Sequence, residues 1–229
     1  MKYLIVNGDD FGASPGINRG ILEAHQYGIL TSTSLLVNTP WSEEAASFGR
    51  VTPLLSVGLH FDLRETLGTT KGDIDRRLDE AVKEQFSRFE DLMHRRPTHV
   101  DSHHNLHRDR RVLPHLLQLA QRYGLCLREH SPVRYFSKFY GQWGGKTHLE
   151  QIRPESLTHM LSRYIREGVT ELSCHPGYMD STYSTGYGVE RETELHTLCD
   201  PTIRPLLSAC AIRLVSYHDI DQILAHSAV

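Results

Sequence analysis

Two adjacent carboxylates, Asp9 and Asp10, follow the first hydrophobic run of the chain, within Asn7-Gly8-Asp9-Asp10-Phe11-Gly12. Side by side they repel, and burying either costs desolvation unless positive charge stands close. A divalent ion, alone or with a proton, is the simplest source of that charge. Three more segments carry side chains of the same kind. His60 sits at the end of an apolar run. Asp101-Ser102-His103-His104-Asn105-Leu106-His107 packs three His and an Asp into seven residues, and Cys174-His175-Pro176-Gly177 follows another apolar run. Two neutral imidazoles and a carboxylate form a common ligand set for a divalent ion, with positions left for water. The ion turns that water into a nucleophile near neutral pH. A second carboxylate can take the water's proton, and a His on the far side can protonate a leaving group. The chemistry so described is metal-assisted hydrolysis of an acyl group. Taken singly, each segment also has a plain structural reading, as a helix cap, an Asx turn or a tight Pro-Gly turn. Their arrival on one face is what would make them a site.

That arrival depends on the elements that carry them. Residues 1–6 read as a buried strand, with Asp9 and Asp10 in the turn after it. Ser14-Pro15 reads as an N-cap and first helical position, followed by an apolar stripe of Ile17, Ile21, Leu22 and Ala24 that Gly28 stops. Further strands are predicted over 32–38, 55–61, 98–102, 125–128, 170–174 and 212–216. Helices are predicted over 41–49, 73–94, 111–123, 154–167 and 219–225. This alternation predicts an α/β fold with a parallel sheet. About seven strands, each followed by a helix, favour a distorted (β/α) barrel over an open doubly wound sheet. In both, ligands bind at the carboxyl ends of the strands. Residues 131–150, rich in Tyr, Gly and Trp and without a period, read as a long functional loop.

No linker or charge block divides the 229 residues, so a single domain over 1–229 is expected. The net charge of −3 suggests no nucleic-acid partner. The first apolar run is too short for a signal peptide or a membrane span, so a cytoplasmic protein is expected. Cys126, Cys174, Cys199 and Cys210 show no CxxC spacing and are expected as reduced thiols. The fifteen His are the compositional outlier, and several cluster beside Asp.

Asn7-Gly8-Asp9-Asp10-Phe11-Gly12, the 31–38 strand, Gly58-Leu59-His60, Thr98-His99-Val100-Asp101-Ser102-His103-His104 and Cys174-His175-Pro176-Gly177 together resemble the ChbG/HpnK family, the YdjC-like carbohydrate deacetylases, in the family's order. The resemblance implies a distorted (β/α) barrel related to polysaccharide deacetylases. It implies one divalent metal ion, Mg or Zn first and Co, Ni or Mn as alternatives. It implies removal of an N-acetyl group from a small amino sugar such as an acetylated chitooligosaccharide. By position it makes Asp10, His60 and His103 the metal ligands, Asp9 the general base and His175 the acid. Adjacent residues point apart, so the division of roles between Asp9 and Asp10 stays open. Gly8 replaces the family's usual Ala, Asn105 replaces a frequent third His, and the stretch over 66–90 is compressed.

Arg128, after a strand, and Tyr135 and Trp143, in the long loop, are the expected substrate contacts. Aromatic faces commonly line small-molecule pockets, although these rings could equally close the barrel mouth or form a homo-oligomer interface. Two other functions compete. A metallo-amidohydrolase or phosphoesterase often uses two metals, and would need further ligands such as His104, His107 or Asp101. A non-catalytic sugar-binding protein would have lost a catalytic residue, and none is missing.

Overall fold

The computed structural model describes residues 1–69, 72–180 and 186–227. Its centre is β1 (Lys2–Phe11), with β2 (Ser32–Leu35), β3 (Ser56–Phe61), β4 (His99–Ser102) and β5 (Cys126–Leu127) following in order on one side. Of the remaining strands, β6 (Arg134–Phe136), the β7 (Gln142–Trp143) and β8 (Lys146–Thr147) hairpin, β9 (Gly168–Cys174) and β10 (Ile212–Leu214), the hairpin alone stands apart. The sheet runs β5-β4-β3-β2-β1-β9-β6, all parallel, with β10 joining β1 at its start. This curled parallel sheet, seven strands in its main path and β10 beside β1, is the distorted, incomplete barrel that the alternation predicts.

Helices wrap the outside: α1 (Pro15–Gln26), α2 (Ser42–Val51), α3 (Arg64–Gly68), α4 (Ile74–Met93), α5 (Leu113–Tyr123), α6 (Pro154–Tyr164), α7 (Val189–Leu198), α8 (Ile203–Ala209) and α9 (Ile220–Ser227). Ser14 caps α1 by accepting from Ile17 N–H, and Gly124 stops α5 in the left-handed region at φ 66°. Strand alternation separates two environments. Leu4, Val6, Val57, Leu59, Val100, Leu172 and Cys174 point outward into the main apolar core beneath the helices. Ile5, Val169, Val215, Tyr217 and Ile220 form a smaller cluster at the barrel floor. Above that floor the inward positions are polar: Asn7, Asp9, His60, His99, Asp101 and Glu171 are all buried.

Three expectations are corrected here. β1 continues five residues beyond the expected end at Val6, to Phe11, so Asp9 and Asp10 belong to the strand and not to the turn after it. It continues because β2 pairs with it as far as Phe11, across a register shift between Gly8 and Phe11. The 131–150 segment is not a bare loop, since it contributes β6 and the hairpin. α3, α7 and α8 are further elements outside the predicted ones: α3 is five residues long with no buried side chain, and the buried face of α7 mixes Glu190, Arg191 and Glu194 with Leu195 and Leu198, which blurs its apolar stripe. No helix among the described residues is long and apolar enough to cross a membrane.

Candidate active site

The carboxyl ends of β1, β3, β4 and β9 open into a cleft of about 600 Å³ whose walls include Asp9, Asp10, His60, His103 and His175. The sequence segments therefore do converge. Asp10 makes the convergence possible. Its backbone lies in the left-handed region at φ 68°, an uncommon conformation for a non-Gly residue. The local shift in register lets both carboxylates serve the cleft, where a regular strand would turn one of them away.

The two Asp side chains have different surroundings. Asp10 Oδ1 faces His103 Nδ1 at 2.9 Å and His60 Nε2 at 3.3 Å, while Arg191 Nη2 donates to its other oxygen. Asp10 is 2% exposed, yet among the described residues its Oδ1 makes no well-aligned hydrogen bond. A buried oxygen facing two imidazole nitrogens without such a bond is what a cation site requires. These three ligand atoms lie within 4.8 Å of one another. His60 is oriented from behind, with Nδ1 2.7 Å from Asp101 Oδ1, which leaves Nε2 to face the cleft. Carboxylate-held imidazoles of this kind are the usual support of a metal-ligating His. The donor set thus fits a divalent ion held by Asp10, His60 and His103.

Asp9 is gripped instead by Arg128, whose Nη1 and Nη2 donate to its two oxygens at 2.8 and 2.7 Å. His175 Nε2 stands 3.9 Å from Asp9 Oδ2, and His175 Nδ1 has no hydrogen-bond partner among the described residues. A second acidic cluster, Asp9, His60 and Asp101, also has metal-like spacing. Arg128 already supplies the cation there, with Nη2 2.6 Å from Asp101 Oδ2.

Electrostatics follow these contacts. Burial pushes the Asp10 carboxyl up, but Arg191, His103 and His60 outweigh it and hold the group well below the usual carboxylate range. Asp9 is likewise lowered, with Arg128 overcoming burial. Burial alone would lower His60, but Asp101, Asp10 and Asp9 raise it to about 10. Both carboxylates are thus held among cationic partners, Arg191 at Asp10 and Arg128 at Asp9. His175 is lowered to about 4, by burial first, against the pull of Asp9 and Asp10. It therefore rests neutral at pH 7.

The three expected substrate contacts fare differently. Tyr135 lines the cleft, with its hydroxyl 3.0 Å from Ser173 Oγ. Arg128 does not line it. It is 2% exposed and surrounded by Asp9, Asp101 and Glu171, so it serves the Asp9 carboxylate and meets no ligand. Trp143 also lies outside the lining, half-exposed on the hairpin and stacked on His148 at 3.7 Å. The aromatic wall is made by Tyr140 and Tyr187, stacked at 4.7 Å, each edge-on to His175 at 5.6 Å. Arg191, Tyr187 and Glu194 were not anticipated. Glu194, fully buried on α7, accepts from His175 N–H and the Tyr187 hydroxyl, and burial raises it to about 8.

A curled parallel barrel with a carboxylate–imidazole cleft at its strand ends has the architecture of the polysaccharide-deacetylase folds. Among solved structures, a family 4 carbohydrate esterase from Streptomyces lividans, in complex with acetate, superposes with a TM-score of 0.61 over 96% of this chain and 95% of its own, at 13% identity. The sequence profile of the YdjC-like proteins matches residues 3–209, and the chain belongs to that family. A carbohydrate deacetylase of Geobacillus stearothermophilus is 33% identical over 253 aligned positions, covering 95% of this chain and 98% of that protein. A chitooligosaccharide deacetylase of Enterobacter sp. (strain 638) is 34% identical over 258 positions, covering 96% and 99%.

Proposed function

We propose that the chain is a metal-dependent carbohydrate deacetylase that removes an N-acetyl group from an amino sugar of the acetylated chitooligosaccharide class. One observation carries the reading. The buried Asp10 Oδ1 faces His60 Nε2 and His103 Nδ1 without a well-aligned hydrogen bond, beside a second carboxylate and a third imidazole. The names of the relatives support the substrate class.

In this reading Asp10, His60 and His103 hold the ion. Mg or Zn is proposed first, and two imidazoles with one carboxylate also suit Co, Ni or Mn. When bound, the ion would acidify water and polarise the acyl oxygen. Asp9, fixed by Arg128, takes a proton from the attacking water at a carboxylate oxygen. His175 Nε2, 3.9 Å away, delivers a proton to the departing amine. A His175 that rests neutral can receive the proton that Asp9 removed and pass it on, so the protons balance as the C–N bond breaks. Tyr140, exposed and backed by the stacked, buried Tyr187, offers a flat face to a sugar ring. The place where a second ion would be held is taken by Arg128, which favours one ion over a two-metal hydrolase.

The test is acetate release from N,N′-diacetylchitobiose and a panel of N-acetylated sugars, with protein stripped by chelator and restored with single metals. Release that returns only with an added metal is expected. Absence of release from every sugar, with one ion bound per chain, would overturn the substrate class.

A further inference from the structure

We infer that Glu171 and Tyr217 are positioning residues, which from the barrel floor hold the Arg128 guanidinium in the orientation that grips Asp9. The inference rests on Asp9 acting as the base.

Glu171 occupies the middle of β9 and is 1% exposed. Its neighbours Val169 and Ser173 share its inward face, so a charge there needs a partner. That partner is Arg128, which uses its two edges for two carboxylates. The Nη1/Nη2 edge grips Asp9, and Nε donates to Glu171 Oε1 at 2.8 Å, with Nη2 2.7 Å from the same oxygen. A planar guanidinium held on both edges cannot swing about its last torsions. Without Glu171, the fork is free to turn toward Asp101, which already lies 2.6 Å from Nη2. Asp9 would then lose its bidentate hold.

Glu171 is itself fixed. Its other oxygen accepts from the Tyr217 hydroxyl at 2.6 Å. Tyr217 is pinned on two more sides, stacked on His99 at 3.8 Å and donating its backbone N–H to Ser56 Oγ at 3.2 Å. It belongs to the segment that plugs the barrel floor with Val215 and Ile220. Neither Glu171 nor Tyr217 lines the cleft, so neither meets substrate. Tyr217 also lies beyond the residues matched by the family profile. The chain Tyr217–Glu171–Arg128–Asp9 thus links the C-terminal plug to the reacting end of the barrel.

The test uses Tyr217→Phe, which keeps the stacked ring and removes one hydroxyl, and Glu171→Gln, which keeps the shape and removes the charge. Two quantities are read on the full-length, metal-loaded protein. The first is kcat and KM for acetate release. The second is solvent exchange of the Arg128 Nε–H, followed by ¹⁵N NMR and assigned with Arg128→Lys. Each variant is expected to lose about tenfold in kcat, with KM within about twofold and the bound metal retained. Exchange at Nε should quicken by about tenfold, and the double variant should be no worse than either single one, because the residues act as one unit. Unchanged kcat and exchange in both folded variants would overturn the inference, and so would losses that simply multiply. If the wild type released no acetate from any sugar, the functional reading would fail. The exchange rates alone would then decide: faster exchange in both variants sustains the positioning, and equal rates remove it.

Discussion

Gly20→Ala tests how the His175 turn is held, because two opposing effects can be weighed against each other. Gly20 lies within α1, where replacing Gly by Ala should stabilise a helix by about 1 kcal/mol. A Cβ at this position, however, would stand 2.5 Å from Gly177 Cα, 2.9 Å from its N and 3.1 Å from its C. All three atoms are backbone, so no side chain can rotate away. Relief to an ordinary carbon contact of about 3.5–4.0 Å needs a displacement of roughly 1 Å. The turn cannot yield freely, since Tyr178 N–H donates to Gly16 O at 3.1 Å and its hydroxyl to Glu23 at 2.6 Å. Overpacking of this kind costs about 1–3 kcal/mol. The net effect runs from neutral to a loss of ~2 kcal/mol, or a fall in Tm of no more than ~8 °C for a chain of this size. The catalytic effect should be larger, because His175 sits two residues before Gly177 and a 1 Å misplacement costs about 10²-fold. The assay is kcat for acetate release beside Tm and metal content, with Gly68→Ala as control, where an added Cβ meets nothing within 4 Å. Wild-type kcat in Gly20→Ala, with Tm raised by a few degrees, would refute the reasoning and show that the turn moves independently of α1.

Three further outcomes are expected. Asp9→Asn should abolish turnover while metal content by atomic absorption stays at the wild-type level, since it removes a proton acceptor and not a ligand; an emptied site would exchange the roles of Asp9 and Asp10. Arg128→Met should destabilise the fold by about 3–5 kcal/mol in a denaturant titration, because Asp9, Asp101 and Glu171 would remain buried without their shared cation. Glu194 has its pKa raised in the fold to about 8, so its contribution is present below the unfolded value near 4.5 and is lost as pH rises through 8. Tm of the wild type should therefore fall between those limits by the equivalent of up to ~5 kcal/mol, and Glu194→Gln should flatten that slope. An unchanged slope in the variant would place the pH dependence elsewhere.

Much of the site was legible because strand signal and chemistry are both local. His60 and His175 each follow a short apolar run, and a parallel α/β architecture puts such ends on one face. What escaped the sequence was long-range. Nothing local marks Asp10 as left-handed, because the distortion comes from β2 pairing across the register shift. α7 carries Glu190, Arg191 and Glu194 on its buried side beside Leu195 and Leu198, which blurs the 3.6-residue apolar period. Arg128 read as a ligand contact because it follows a strand. Its true surroundings come from β1, β4 and β9, which are far apart in sequence. Two local features do carry long-range information. Glu171 interrupts an otherwise uncharged strand, which implies a buried partner. Gly16 and Gly20, four apart on α1, mark the face on which Tyr178 and Gly177 lie too close for any side chain.

The most direct test follows ion content and acetate release together while stripped protein is titrated with Co²⁺. The account predicts no release at zero ion and a plateau at one ion per chain, with both lost in His60→Ala and His103→Ala. Full activity in ion-free protein, or an ion still bound at the same affinity after both His substitutions, would contradict it.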